Sequence, residues 1–199
     1  MISNQGLLHR RAVVAELLRE RGELLVVGGL GAPAWDITAA GDHPRNMPLW
    51  GGMGGAAMIG LGLALARPNE RVLVVTGDGE MLMGLGSIPT IAVQAPKNLS
   101  LVVLDNEHYG ETGMQETHTR YGVDLAAIAA ASGFRTSRMV RKPAEVTELR
   151  GLIQSGEGPI FAQIKIDPEK LPLVLPPSEG VHLKNRMREA ILGPAAHVA

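Results

Sequence analysis

Two apolar stretches of strand length in this sequence each finish on oxygen-bearing side chains. RVLVVTGDG (71–79) ends with Asp78 between Gly77 and Gly79. LSLVVLDN (99–106) ends with Asp105 and Asn106, so 28 positions separate Asp78 from Asn106. One carboxylate, one amide oxygen and neighbouring backbone carbonyls suit a hard divalent cation such as Mg2+, which keeps part of its shell for water and phosphate oxygens. Glycines on both sides of the aspartate let backbone N–H groups approach an anion, whose charge the N-terminus of a following helix would favour. Either piece alone is also ordinary turn chemistry. Together, at two strand ends of one α/β unit, they favour a shared ligand.

Such residues need a scaffold that delivers both strand ends to one place. The runs 71–79 and 99–106 are near-continuously apolar, the pattern of strands buried on both faces of a parallel sheet. ELLVVGGLG (23–31), TSRMV (136–140) and GPIFAQIKID (158–167) read as further strands. LLHRRAVVAELLRER (7–21) places apolar residues at helical spacing with charges between them. GGMGGAAMIGLGLALA (51–66) reads as a glycine-rich helix packed close to the sheet. Ser87 caps a helix with Pro89 in its first turn, DLAAIAAASGF (124–134) is a helix stopped by Gly133, and PAEVTELRGLIQSG (143–156) is another.

Residues 32–50 hold three prolines and no clear period, which predicts a long functional loop. Residues 168–180, with four prolines, predict an extended tail before a short helix at 181–193. Strands alternating with helices predict an α/β fold, a single doubly wound domain with a mostly parallel sheet over 1–167, followed by a Pro-rich C-terminal extension at 168–199. Ligands of such sheets sit beyond the carboxyl ends of the strands, where Asp78 and Asn106 both fall.

Composition narrows the function classes. The 199 residues suit one domain with a substantial core, and 45% hydrophobic against 20% charged residues excludes a disordered chain. A net charge of -1 offers nucleic acid and anionic lipid no global attraction. Aromatics at 3% argue against base-stacking surfaces, and the absence of cysteine removes disulfides, thiolate metal sites and iron–sulfur ligation together. No signal-like N-terminal segment and no membrane-length apolar run is present, so a cytoplasmic protein without a membrane span is expected. There is no G-x-x-x-x-G-K-[ST] loop, which weighs against an ATPase.

G-D-G followed at this spacing by Asp-Asn resembles the cofactor motif of thiamine-diphosphate enzymes. The resemblance covers roughly residues 8–167, the diphosphate-binding domain of that family. LWGGMGGAAMIGLGLAL and LDNEHYGETG look most like the sulfopyruvate decarboxylase beta subunit and the matching half of phosphonopyruvate decarboxylase. The resemblance implies thiamine diphosphate and Mg2+ as cofactors, with Asp78, Asn106 and the backbone carbonyl of His108 as metal ligands. Gly77, Gly79 and Glu80 would lie along the diphosphate. Met53, after Gly52, would be the apolar wedge that holds the cofactor bent, and Tyr109 and Gly110 would complete its cradle.

His108, Tyr109, Glu111 and His118 are the catalytic candidates the resemblance points to, with His43 and Gln115 as further polar candidates. Arg120, Arg135 and Arg138 could steer an anionic substrate, against the blander reading of solvated surface arginines. Asp105 stands where many members carry an asparagine. Met114-Gln115-Glu116 and Arg45-Asn46-Met47-Pro48 also depart from the family pattern.

The family's activating glutamate belongs to a second, pyrimidine-binding domain, so the resemblance implies a separate pyrimidine-binding alpha subunit and a hetero-oligomer. The implied reaction is decarboxylation of a small anionic 2-oxo acid to an aldehyde. An acetolactate-synthase-like carboligase and a non-catalytic cofactor-binding subunit are the alternatives.

Overall fold

A computed structural model describes residues 1–3 and 6–197. Its centre is a six-stranded, wholly parallel sheet. The strands are β1 (Leu25–Gly28), β2 (Asn46–Pro48), β3 (Val72–Gly77), β4 (Leu99–Asp105), β7 (Thr136–Val140) and β8 (Ile160–Lys165), in the order β2-β1-β3-β4-β8-β7. Two further short strands, β5 (His108–Tyr109) and β6 (Gln115–Glu116), form a separate antiparallel hairpin.

Successive side chains of a strand point to opposite faces, and two cores result. On one face Leu73 and Val75 of β3 meet α1 (Arg10–Leu17), α2 (Ala32–Ala39) and α7 (Pro143–Ser155) through Val14, Ile37 and Leu149. On the other, Val72 and Val74 meet α3 (Ala56–Ala66), α4 (Asp78–Met83), α5 (Ser87–Gln94) and α6 (Leu125–Ser132) through Leu61, Met81, Ile91 and Leu125. This is the doubly wound arrangement that the alternation of strands and helices predicts.

Local chemistry sets the helix ends. Asp124 caps α6 by accepting from the N–H of Ala127 at 2.8 Å, and Gly133 closes it in the left-handed region. Pro143 opens α7, and Glu145 accepts from the backbone of Arg141 and Lys142.

Residues 32–50 depart from expectation. They contain α2 and β2 rather than one long loop. Asp36 takes a fully buried position in α2, where it pairs with Arg10 and Arg11. A buried charge at a core position breaks the apolar period by which such a helix is recognised. Residues 51–55, expected to be helical, form a loop before α3, with Gly52 and Gly54 at positive φ.

Beyond β8 the chain runs without regular secondary structure to α8 (Gly180–Leu192), which buries Leu183 and Met187 and packs beside β2. Trp50 Nε1 donates to the carbonyl of Pro177 at 2.8 Å, and Arg186 pairs with Asp42 at 2.7 Å, fastening this segment to the sheet edge. Among the described residues, no helix is long and apolar enough to cross a membrane.

Candidate cofactor cleft

The register of β3 and β4 places Gly77 opposite Leu104, so Asp78 and the Asp105-Asn106 pair leave the sheet side by side. The strand after β1 in the chain lies to one side of β1 and the next to the other, the reversal at which doubly wound sheets open a crevice. A cleft lies there, open to solvent.

Asp78 is 1% exposed. Its Oδ2 accepts from the hydroxyls of Thr117 at 2.5 Å and Thr119 at 3.4 Å. Burial pushes its pKa up to about 6; the Thr117 hydroxyl and the backbone N–H groups of Asp78 and Asn106 oppose that rise, and nearby Asp105 adds to it. No lysine or arginine of the described residues pairs with Asp78.

Asp105 is the opposite case. It is also fully buried, but Lys165 Nζ lies 2.7 Å from Oδ2 and Gln163 Nε2 donates to the same oxygen at 2.5 Å. Its Oδ1 accepts from Thr119 at 2.7 Å and from the N–H of Glu107 at 3.0 Å. Asp105 is thus neutralised and fully bonded, whereas Asp78 is a buried carboxylate with no cationic side chain beside it. A buried charge is retained only where something compensates it. Asp78 therefore fits a metal ion.

The donor set is all oxygen, which suits a hard divalent cation. Asn106, next to Asp78, contributes an amide oxygen that also accepts from the N–H of His108 at 2.9 Å. Among the described residues no cluster of three or more His, Cys, Asp or Glu could hold a metal, so a cation at Asp78 and Asn106 would need further oxygens from water or phosphate.

The histidine ring is oriented too. His108 Nδ1 lies 2.7 Å from the carbonyl oxygen of Asn106; a carbonyl only accepts, so Nδ1 carries the proton. In the neutral ring Nε2 is then left as the acceptor.

Glu80 lines the cleft, but its carboxylate is occupied. Oε2 accepts from the N–H of Leu30 at 3.0 Å and the hydroxyl of Thr76 at 2.8 Å, and Oε1 accepts from the N–H of Gly54 at 3.3 Å. One carboxylate thereby ties the loop after β1 and the loop 51–55 to the start of α4. A second fastening is backbone on backbone: a Cβ on Gly84 would stand 2.3 Å from the oxygen of Gly54. Met53, next to the pinned Gly54, is half-buried and on the cleft wall. Tyr109 lies against Gly79 so closely that a Cβ there would come within 2.5 Å of its ring.

Ten residues singled out from the sequence thus meet in one cleft: Met53, the run Gly77 to Glu80, Asn106, and the run His108 to Glu111. Gly52 does not line it. His118 stands exposed in a 3-10 turn (His118–Tyr121) and is not part of the cleft wall. Gln115 is exposed and bonded to Thr112, and His43 accepts from the N–H of Arg45 away from the cleft. Arg120, Arg135 and Arg138 pair with Glu107, Glu157 and Glu148 on the surface. Sequence reasoning missed Thr117 and Thr119, which carry no recognisable spacing, and Arg10, which reads as one more charge on an amphipathic helix.

Residues 31–164 match the family described as thiamine pyrophosphate enzyme, C-terminal TPP binding domain. The sulfopyruvate decarboxylase subunit beta of Methanothermobacter thermautotrophicus is 40% identical over 72% of this chain and 74% of its own length. The phosphonopyruvate decarboxylase of Streptomyces viridochromogenes is 34% identical over 94% of this chain, which spans only 46% of that enzyme. The structure of benzoylformate decarboxylase from Polynucleobacter necessarius has the same fold, with a TM-score of 0.68 at 23% identity over 83% of this chain and 34% of that one. The cleft geometry and these matches agree: the chain belongs to the thiamine pyrophosphate enzyme family, as a C-terminal TPP-binding domain of the kind found in sulfopyruvate decarboxylase beta subunits.

Proposed function

We propose that this chain is the beta-type subunit of a thiamine-diphosphate- and Mg2+-dependent 2-oxo acid decarboxylase, working with a pyrimidine-binding alpha subunit on a small anionic 2-oxo acid. The observation that carries this reading is Asp78: a buried carboxylate with no cationic side chain beside it, next to the Asn106 amide and in the same cleft as Met53. When bound, thiamine diphosphate supplies the nucleophilic carbon and the electron sink for loss of CO2.

The chain's own residues bind and orient. Asp78 and Asn106 hold Mg2+, with the His108 carbonyl as a third oxygen, and the backbone at Gly77, Gly79 and Gly110 lets the diphosphate come close. Met53, held by the fastened 51–55 loop, would be the apolar wedge against a bound cofactor. Nε2 of His108 is oriented to hold or move a proton, and Tyr109 and Glu111 stand on the same wall to contact substrate. His118 would join the site only where a partner covers its exposed turn.

The partner is supported by relatives named as a beta subunit and by α3. That helix has no polar residue, and it leaves Met58, Ile59 and Leu65 exposed. A helix apolar on all sides is one that is covered on all sides.

The test is co-expression with a pyrimidine-binding subunit, followed by assay of CO2 release from 2-oxo acids that carry a second acidic group. Turnover is expected from the complex with Mg2+ and cofactor, and none from the Asp78→Ala complex. Equal turnover by the Asp78→Ala complex would overturn the metal assignment, and robust turnover by the lone chain would overturn the two-subunit reading.

A further inference from the structure

Arg10 opens α1, which leads into the amino end of β1, so the start of the helix lies at the carboxyl edge of the sheet. The residue is only 5% exposed and lines the cofactor cleft, together with Leu30, Ala32 and Asn106. Its Nη1 is spent on the protein: it donates to Asp36 and, at 3.5 Å, to the carbonyl of Ala32. Nη2 and Nε have no acceptor among the described residues, yet neither is sealed in the core.

Charge points the same way. Asp36 is fully buried and is shared by Arg10 and Arg11, whose Nε lies 3.0 Å from Oδ1. Two guanidinium groups around one carboxylate leave one positive charge over. Arg11 spends its Nη2 on the carbonyl of Pro172, so the side of the cluster that faces the cleft is that of Arg10. Nε and Nη2 of an arginine form the parallel pair of donors that matches two oxygens of a phosphate, phosphonate or sulfonate. Burial against Asp36 fixes that pair in advance, so little side-chain freedom is lost on binding.

We propose that Arg10 is an anion-binding residue of the cleft, presenting Nε and Nη2 to a tetrahedral oxyanion while Asp36 holds the guanidinium in place. The inference rests on the reading of this cleft as the cofactor cleft. Two sources supply such an anion there: a phosphoryl group of the cofactor's diphosphate, and the second acidic group of the substrate.

Calorimetric titrations of the purified full chain separate them. One arm titrates inorganic pyrophosphate with Mg2+; the other titrates 3-sulfopropionate into chain already saturated with Mg2+-pyrophosphate. Arg10→Gln is expected to weaken one of these by about tenfold or more, the loss typical of a charge-assisted bond. Weakening in the first arm assigns Arg10 to the diphosphate, and weakening in the second alone assigns it to the substrate.

Arg10→Lys keeps Asp36 paired but loses the fork. It is expected to weaken the same arm, and it carries the test should Arg10→Gln fail to fold. If both isotherms are unchanged while Asp78→Ala loses pyrophosphate, the proposal falls and the cofactor reading stands. A wild-type chain that binds neither anion overturns both.

Discussion

Two aspartates at neighbouring strand ends, Asp78 and Asp105, differ in what surrounds them and therefore in what they can do. Lys165, Gln163 and Thr119 satisfy Asp105, while Asp78 has hydroxyl and backbone donors and no positive charge. Its raised pKa means that the folded chain binds its proton more tightly than the unfolded chain does. The group's contribution to stability is therefore present below about pH 4 and is lost as pH rises through about 6. Asp78→Asn should stabilise the metal-free chain at neutral pH, by up to about 3 kcal/mol on the scale of ~1.4 kcal/mol per pKa unit, and by nothing near pH 4. The same substitution should abolish Mg2+-dependent retention of thiamine diphosphate. Melting curves of both proteins from pH 4 to 8, without and with Mg2+, decide this; a destabilised variant at pH 7 would show that Asp78 is already compensated.

At the scale of elements, the cleft depends on three loops being locked together rather than on any one helix. Glu80 joins two of them to α4, and Gly84 and Gly54 touch backbone to backbone. Gly84→Ala would force these strands of backbone apart and should cost ~1–3 kcal/mol, as overpacking does. Because Met53 lies next to Gly54, cofactor affinity should fall with it. Met53→Ala should instead lower turnover of the assembled enzyme with a smaller loss of stability. Chemical denaturation run beside cofactor titration separates the two; loss of stability in Gly84→Ala with unaltered cofactor affinity would mean that the 51–55 loop does not position Met53.

For the whole molecule, the telling surface is the one next to the cleft. No charged residue occurs from Trp50 to Ala66, and Trp50, Met58, Ile59, Leu65 and Met83 are exposed. Covering such a face in an obligate assembly would bury more than ~2,000 Å². Met58→Lys and Leu65→Lys should leave the melting temperature of the isolated chain nearly unchanged, since exposed substitutions usually stay within ~0.5 kcal/mol. They should prevent assembly with the proposed pyrimidine-binding subunit, as read by size-exclusion chromatography with light scattering. Undisturbed assembly would place the interface elsewhere.

The sequence by itself determined the α/β class, the strands at 71–79 and 99–106, and the pairing of Asp78 with Asn106, because these rest on local signals: apolar runs, glycine stops and short fixed spacings. Motifs that resemble a known family also lead to the expectation that residues as distant as Met53 and Glu111 share a site, and both line one cleft. What the sequence could not decide depends on contacts between segments far apart in the chain. The helix at Ala32–Ala39 is hidden because Asp36 is a core residue only where Arg10 and Arg11 meet it. Nothing local to Glu80 shows that its carboxylate bonds Leu30, Thr76 and Gly54 and so ties two loops together beside the cleft. Whether a carboxylate is a ligand or a strut depends on the charges that packing brings beside it, and only the tertiary structure puts Lys165 next to Asp105 and no cation next to Asp78.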